Sequence, residues 1–207
     1  PGSASADAHA ARLLAALPAD APLVVVGYDV GSRIAQAMTR AAPARIVGAV
    51  LTPGYPGIGA RSGAPEIADR FWYQHFHRTP LAARLIDGRP EAVRDHLAFL
   101  VDAWAATRTL TTGPRFDAVV AAYARPGAFE ASIAWYRDNV GYGGGRPSEV
   151  PTTMLWPDRD PLFPTAWADE LHTWFSDVQL RVVPSGHVVP LEAPDAVAAA
   201  ILARLDR

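Results

Sequence analysis

Leu23-Val24-Val25-Val26-Gly27-Tyr28-Asp29-Val30-Gly31-Ser32 changes its structural signal halfway along. Residues 23–26 are short, continuous and mostly β-branched, which suits a strand buried on both faces of a parallel sheet rather than an alternating, half-exposed one. Residues 27–31 predict a tight glycine turn. Residues 32–42 predict a helix with Ile34 and Met38 on one face, ended by Pro43, and residues 46–51 a second buried strand. Strand, turn, helix and strand within about thirty residues make a βαβ unit, and the parallel sheet follows from it.

Upstream, residues 5–17 read as a helix with Ala8, Leu13, Leu14 and Leu17 on one stripe, stopped by Pro18. Downstream, the strand pattern vanishes from Thr52 to Ser148. Helical stretches replace it near residues 66–77, 81–86, 91–105, 115–124 and 128–139; in the third, Val93, Leu97, Leu100, Val101 and Trp104 recur at helical spacing. The βα pattern resumes with a strand at 152–156, a helix at 165–175, a strand at 178–183 and a closing helix at 194–205. The organisation expected is α/β, with core residues 1–53, an all-helical cap at 54–149 and core residues 150–207. A helical insert between βα units is best placed over the carboxyl edge of the sheet, where α/β sites lie.

With 207 residues there is room for one domain with a sizeable core. Half the residues are hydrophobic and 19% charged, a globular balance. All nineteen basic residues are arginine, scattered along the chain, and the formal net charge is −2, which argues against nucleic-acid binding. The lack of cysteine removes disulfides, thiolate metal sites and cysteine nucleophiles. No apolar run reaches the roughly 18 residues a membrane span needs. No basic-then-apolar signal segment is seen either, so a cytoplasmic location is expected.

Three residues carry chemistry in this pattern. Asp29 is the middle of Gly27-Tyr28-Asp29-Val30-Gly31, a Gly-x-nucleophile-x-Gly turn between strand and helix. A carboxylate there can attack an electrophilic carbon and form an ester, provided the helix N-terminus and nearby N–H groups keep it ionised. Asp160, in Trp156-Pro157-Asp158-Arg159-Asp160-Pro161, follows a buried strand, where an acid that orients a histidine belongs; Asp158 is its competitor. His187, in Ser185-Gly186-His187, follows the next strand. Nucleophile, acid and histidine, each just past a strand end, form a triad-like order. His75 and His77 are two apart on a predicted helix and diverge by about 200°, so no shared metal ion is expected. One of the two, His75, is assigned to the substrate pocket.

These residues resemble a family. The chain is similar to the α/β-hydrolases of the epoxide hydrolase and haloacid or haloalkane dehalogenase group, whose nucleophile is an Asp instead of a Ser. The matching segments are VVVGYDVGSRIAQA, FWYQHFH, GAFEASIAWYRDN, MLWPDRDPLFP and SGHVVPLEAPD. The resemblance implies that Asp29 attacks an epoxide carbon and that the Val30 N–H supplies half an oxyanion hole. His187, oriented by Asp160, would activate water to cleave the ester, giving a vicinal diol. Tyr136 matches the cap tyrosine that donates a proton to the opening epoxide. The family's second tyrosine falls on or beside Trp72, with Tyr73 the candidate. Trp72, Tyr73 and Trp135 are assigned to the substrate site, and a small apolar substrate is expected, with no cofactor.

Dehalogenases typically carry Trp or Arg after the nucleophile, where this chain has Val30. Arg33, however, matches a carboxylate-binding arginine of haloacetate dehalogenases and keeps that alternative open. A non-catalytic binding protein on the same fold is the third reading. The family's fold begins with roughly four strands and a loop supplying the other oxyanion N–H. The strands here match its fifth to eighth, so the core is expected to be partial. Residues 23–26 would then be an apolar edge, covered by an N-terminal piece or by a second copy of the chain.

Overall fold

The computed structural model describes residues 2–141 and 145–205. Four parallel strands form one sheet in the order β1 (Leu23–Tyr28), β2 (Ile46–Thr52), β3 (Thr152–Pro157), β4 (Val178–Val183). Helix α1 (Ala6–Ala16) precedes β1, and its N-cap Ser5 accepts the Ala8 N–H. Helix α2 (Val30–Ala41) joins β1 to β2 as the βαβ reading predicts.

The two faces of the sheet are covered by different helices because successive side chains point to opposite sides. Val25, Ala49, Leu51, Met154 and Trp156 meet Ala6 and Ala10 of α1 and Ala35 and Met38 of α2 in one buried cluster. Val50, Leu155 and Val183 face the other way, onto Val189 and Ala200. Those two belong to α9 (Val189–Glu192), a short helix not foreseen from the sequence, and α10 (Pro194–Leu205). β1 departs from the expectation of a strand buried on both faces: Val26 is 49% exposed. The cause is position, since β1 ends the sheet and pairs only with β2 among the described residues.

Between β2 and β3 run α3 (Trp72–His77), α4 (Pro80–Ile86), α5 (Pro90–Trp104), α6 (Pro114–Tyr123) and α7 (Ala128–Asp138). Three of them start on proline, whose missing N–H and fixed φ suit the first helical position. Ala82, Ile86, Val93, Phe116, Val120, Phe129 and Ile133 make this block a core of its own. Two predicted helices are broken. Residues 66–77 begin as a 3-10 turn, Ala68–Phe71, before α3. Residues 165–175 divide into a 3-10 segment, Thr165–Glu170, and α8 (Leu171–Trp174). The Trp167 N–H bonds the Pro164 carbonyl three residues back, the tighter 3-10 pattern.

Candidate active site

At the end of β1 the chain turns sharply into α2, and Asp29 takes the turn. Its φ of 49° is the one positive φ among non-glycine residues described, a conformation that costs about 1–3 kcal/mol and needs surrounding structure to hold it. That structure is visible: the Asp29 N–H bonds the Thr52 carbonyl of β2 at 3.1 Å, and the Asp29 carbonyl accepts the Ser32 N–H at 2.9 Å. Gly27 is required by close approach, since a Cβ there would lie 2.5 Å from the Gly31 carbonyl oxygen and 2.6 Å from the Ser32 Cα. Gly31 itself has open space around the corresponding position.

His187 and Asp160 reach the same point from the ends of β4 and β3. The fully buried His187 donates from Nδ1 to Asp160 Oδ2 at 2.8 Å, and Asp160 Oδ1 accepts the Leu162 N–H at 2.7 Å. Asp158, the competitor, is exposed and lies against Arg159. His187 Nε2 has no hydrogen-bond partner; it lies 3.6 Å from Asp29 Oδ2, beyond hydrogen-bond length. The imidazole is walled in by Tyr28, Trp104 and Phe163, with ring centroids at 5.5, 5.5 and 5.8 Å.

The electrostatics couple these groups. Burial opposes charge on His187, but Asp160 and then Asp29 outweigh it and push its pKa up to about 10. Burial likewise opposes ionisation of Asp29. The closeness and charge of His187, the charge of Arg33 and the backbone N–H of Val30 prevail, holding this carboxyl below its ordinary range. The resting arrangement is therefore a carboxylate beside an imidazolium. Val30, assigned to the oxyanion hole, adds its backbone N–H to the groups that favour the charged form of Asp29.

A cavity of about 390 Å³ opens above Asp29, lined among others by Val30, Arg33, Tyr73, His75, Trp135 and Tyr136. Tyr73 and Tyr136 meet edge to face, centroids 5.8 Å apart. Burial first, and then the nearby Asp29 charge among others, raises both phenols well above their ordinary pKa, so both keep their protons. Tyr136 touches the sheet-face core, the cap core and a third cluster around Phe71 and Leu162. Trp135 is buried in the sheet-face core.

Trp72 does not join them. Tyr73 and His77, four apart, share the buried face of α3, whereas Trp72 is 41% exposed and packs on Phe76, His96 and Phe99. His75 and His77 diverge as helix geometry requires. His75 is exposed at the cavity, where its Nδ1 lies 2.6 Å from an Arg78 guanidinium nitrogen. His77 is buried against His96, Nε2 to Nε2 at 2.8 Å, and burial with the His96 charge lowers its pKa to about 3. Among the described residues no group of three or more His, Asp or Glu is placed to hold a metal ion, and no helix is long and apolar enough to cross a membrane.

Several supporting residues carried no sequence signal. The His187 N–H bonds the Trp104 carbonyl at the end of α5, at 2.9 Å. Gly186 lets that loop pass close to the backbone of Ala105 and Ala106, and Glu192 ties Thr107 to Val188 through their N–H groups. Such contacts join segments some eighty residues apart, a pairing that no local pattern encodes.

Residues 1–200 match the model of the alpha/beta hydrolase family. A candidate epoxide hydrolase from Pseudomonas aeruginosa superposes with a TM-score of 0.83 at 21% identity, over 100% of this chain and 73% of that one. A candidate epoxide hydrolase from Klebsiella pneumoniae gives 0.78 at 22% identity, over 98% and 73%. A candidate acyltransferase from Salmonella enterica gives 0.78 at 16%, over 100% and 74%, so likeness at this level speaks for the fold and not for one reaction. No curated protein matches the chain. The family match over nearly its whole length, with a parallel sheet and the turn around Asp29, shows that the chain belongs to the alpha/beta hydrolase family.

Proposed function

We propose that this hydrolase opens epoxides to vicinal diols through an ester on Asp29. The observation that carries the reading is the pair of buried, protonated tyrosines, Tyr73 and Tyr136, lining the same cavity as an ionised Asp29. An alkoxide leaves poorly without a proton, and phenols positioned over a carboxylate supply it. An Asp29 oxygen attacks the less hindered epoxide carbon, the carbon–oxygen bond breaks, and the oxygen takes a proton from one tyrosine while the other donates a hydrogen bond.

Esterification removes the Asp29 charge, which lowers the pKa of His187, so the imidazolium passes its Nε2 proton back to the tyrosinate and Nε2 becomes a base. His187 then takes a proton from water, and hydroxide adds to the ester carbonyl carbon. The Val30 N–H binds the oxyanion that forms there. On collapse the diol oxygen leaves with the proton from His187. Asp29, released as the acid, passes its proton to His187, which restores the carboxylate–imidazolium pair. Asp160 holds the imidazole in orientation throughout.

Arg33 in the cavity favours a second reading, the haloacid dehalogenase, in which the same carboxylate displaces halide. Incubation with a terminal epoxide and with a 2-haloacid separates the two. Diol formation without halide release is expected, lost in Asp29→Asn; halide release that depends on Arg33 would favour the second. A chain that processes neither while still binding ligand through an intact Asp29→Asn variant would be the non-catalytic relative.

A further inference from the structure

The cavity over Asp29 is lined in part by charged side chains. Arg78, which ends α3, lines it, and the same Arg78 also lines a second, open groove of about 590 Å³ among the helices between β2 and β3. Arg84, Arg89 and Arg137 share that groove with two acids, Asp87 and Glu130. Asp87 is already engaged: its carboxylate accepts the Gly127 N–H at 2.7 Å and the Glu130 N–H at 3.0 Å, at the start of α7. Those bonds hold its carboxyl below the ordinary range.

Three arginines elsewhere in the chain sit in ion pairs. Arg61, Arg94 and Arg159 each lie within 3.4 Å of a carboxylate. Among the described residues, Arg78, Arg84, Arg89 and Arg137 make no ion pair; Arg78 donates to His75 Nδ1 at 2.6 Å and Arg89 to the Leu85 carbonyl at 3.4 Å. In a chain of formal net charge −2, the groove thus holds four guanidinium groups against two carboxylates, and through Arg78 it adjoins the cavity over the proposed Asp29 nucleophile. An anionic ligand approaching Asp29 and Asp160 is repelled, and a cationic entrance offsets that repulsion.

We propose that this groove is a cationic vestibule, and that the natural substrate carries an oxyanion, of carboxylate type, which Arg78 holds at the cavity mouth. Arg84, Arg89 and Arg137 draw the anion in. The inference rests on the reading of Asp29 as the reacting group and gives the substrate two ends. Its reactive carbon lies among Asp29, Tyr73 and Tyr136, and its charge lies at Arg78. The small apolar substrate expected from the cap aromatics becomes an amphipathic one.

Hexanoate and hexanamide, equal in length and differing in charge, test this by titration calorimetry on the intact chain. Hexanoate should bind about tenfold more tightly at low salt, the range of a charge-assisted hydrogen bond. The preference should fall at about 300 mM salt, where screening shortens the reach of the outer arginines. Arg78→Gln should bring it within about twofold, Arg78→Lys should keep part of it, and the Arg84→Gln/Arg137→Gln pair should weaken it at low salt only. Equal binding of the two probes overturns the proposal, and so does a preference that survives Arg78→Gln but vanishes in Arg33→Gln, which would put the anion inside the cavity. The chemistry is judged separately. A chain that turns over neutral and anionic epoxides alike contradicts the vestibule and leaves Asp29 standing, whereas one that prefers hexanoate yet never esterifies Asp29 contradicts the nucleophile and leaves an anion site.

Discussion

His187 is the residue on which the two halves of the proposed reaction turn. Its pKa of about 10 depends on two carboxylates, and the reaction neutralises one of them. Ester formation needs Asp29 ionised, which its lowered pKa secures even in mild acid, whereas ester cleavage needs His187 neutral. Near pH 5 the ester should therefore build up, visible as a mass increase on Asp29 in the intact chain; His187→Gln should show the same accumulation at every pH. A steady state without ester at pH 5 would contradict this division of roles. Tyr136→Phe and Tyr73→Phe should each lower the rate of ester formation by about 10²-fold or more, the range of a general acid, with the double variant slower than either; stopped-flow single turnovers measure it. Asp29, His187 and Tyr136 stand out in the sequence as candidates because each sits in a local pattern. Tyr73 was legible only as an alternative to Trp72, because which side of α3 faces the cavity depends on the packing of the neighbouring helices. His96, the partner of His77, lies in another helix and gave no signal at all.

Among the elements, the turn between β1 and α2 is tightly specified. Gly27→Ala would drive a methyl group against the Gly31 carbonyl oxygen and the Ser32 backbone. It should destabilise the fold by about 1–3 kcal/mol, the range for overpacking, in a denaturant titration, and shift Asp29 enough to lower turnover; Gly31→Ala, with open space, should be mild. The strands and α2 were legible because continuous β-branched runs and a 3.6-residue period are local signals. The 3-10 segments at Ala68–Phe71 and Thr165–Glu170 were not, since they differ from α-helix only in bonding that tertiary contacts decide. The exposure of Val26 was also hidden, because burial of a strand depends on what lies beside it. We propose that the open edge of β1 is paired by a further strand, from a second copy or another segment. Sedimentation of the chain should show association that Val26→Lys weakens; a stable monomer at all concentrations would contradict self-pairing.

At the level of the whole molecule, the sheet supplies the three strand ends and the helical block between β2 and β3 supplies the two tyrosines. Tyr136 packs where both cores meet, so its proposed chemistry and the stability of the fold share the same contacts. The pH dependence of folding follows from His187, whose folded pKa lies above its unfolded value of about 6.5. Its contribution is full below that value and is lost as pH rises towards about 10, while the lowered pKa of Asp29 adds stability that disappears in acid. Thermal stability should accordingly fall steadily between about pH 6.5 and 10 in the wild type and much less in Asp160→Asn, as calorimetry would record. The cap was legible as a helical insertion but its arginine groove was not, because Arg78, Arg84, Arg89 and Arg137 are scattered in sequence and meet only after α3, α4 and α7 pack together. The central claim is that Asp29 forms the ester, and a single turnover of an epoxide in heavy-oxygen water tests it most directly. Label is predicted in the Asp29 carboxylate, recovered in the peptide that contains it; product diol carrying all the label, with none in Asp29, would contradict the account.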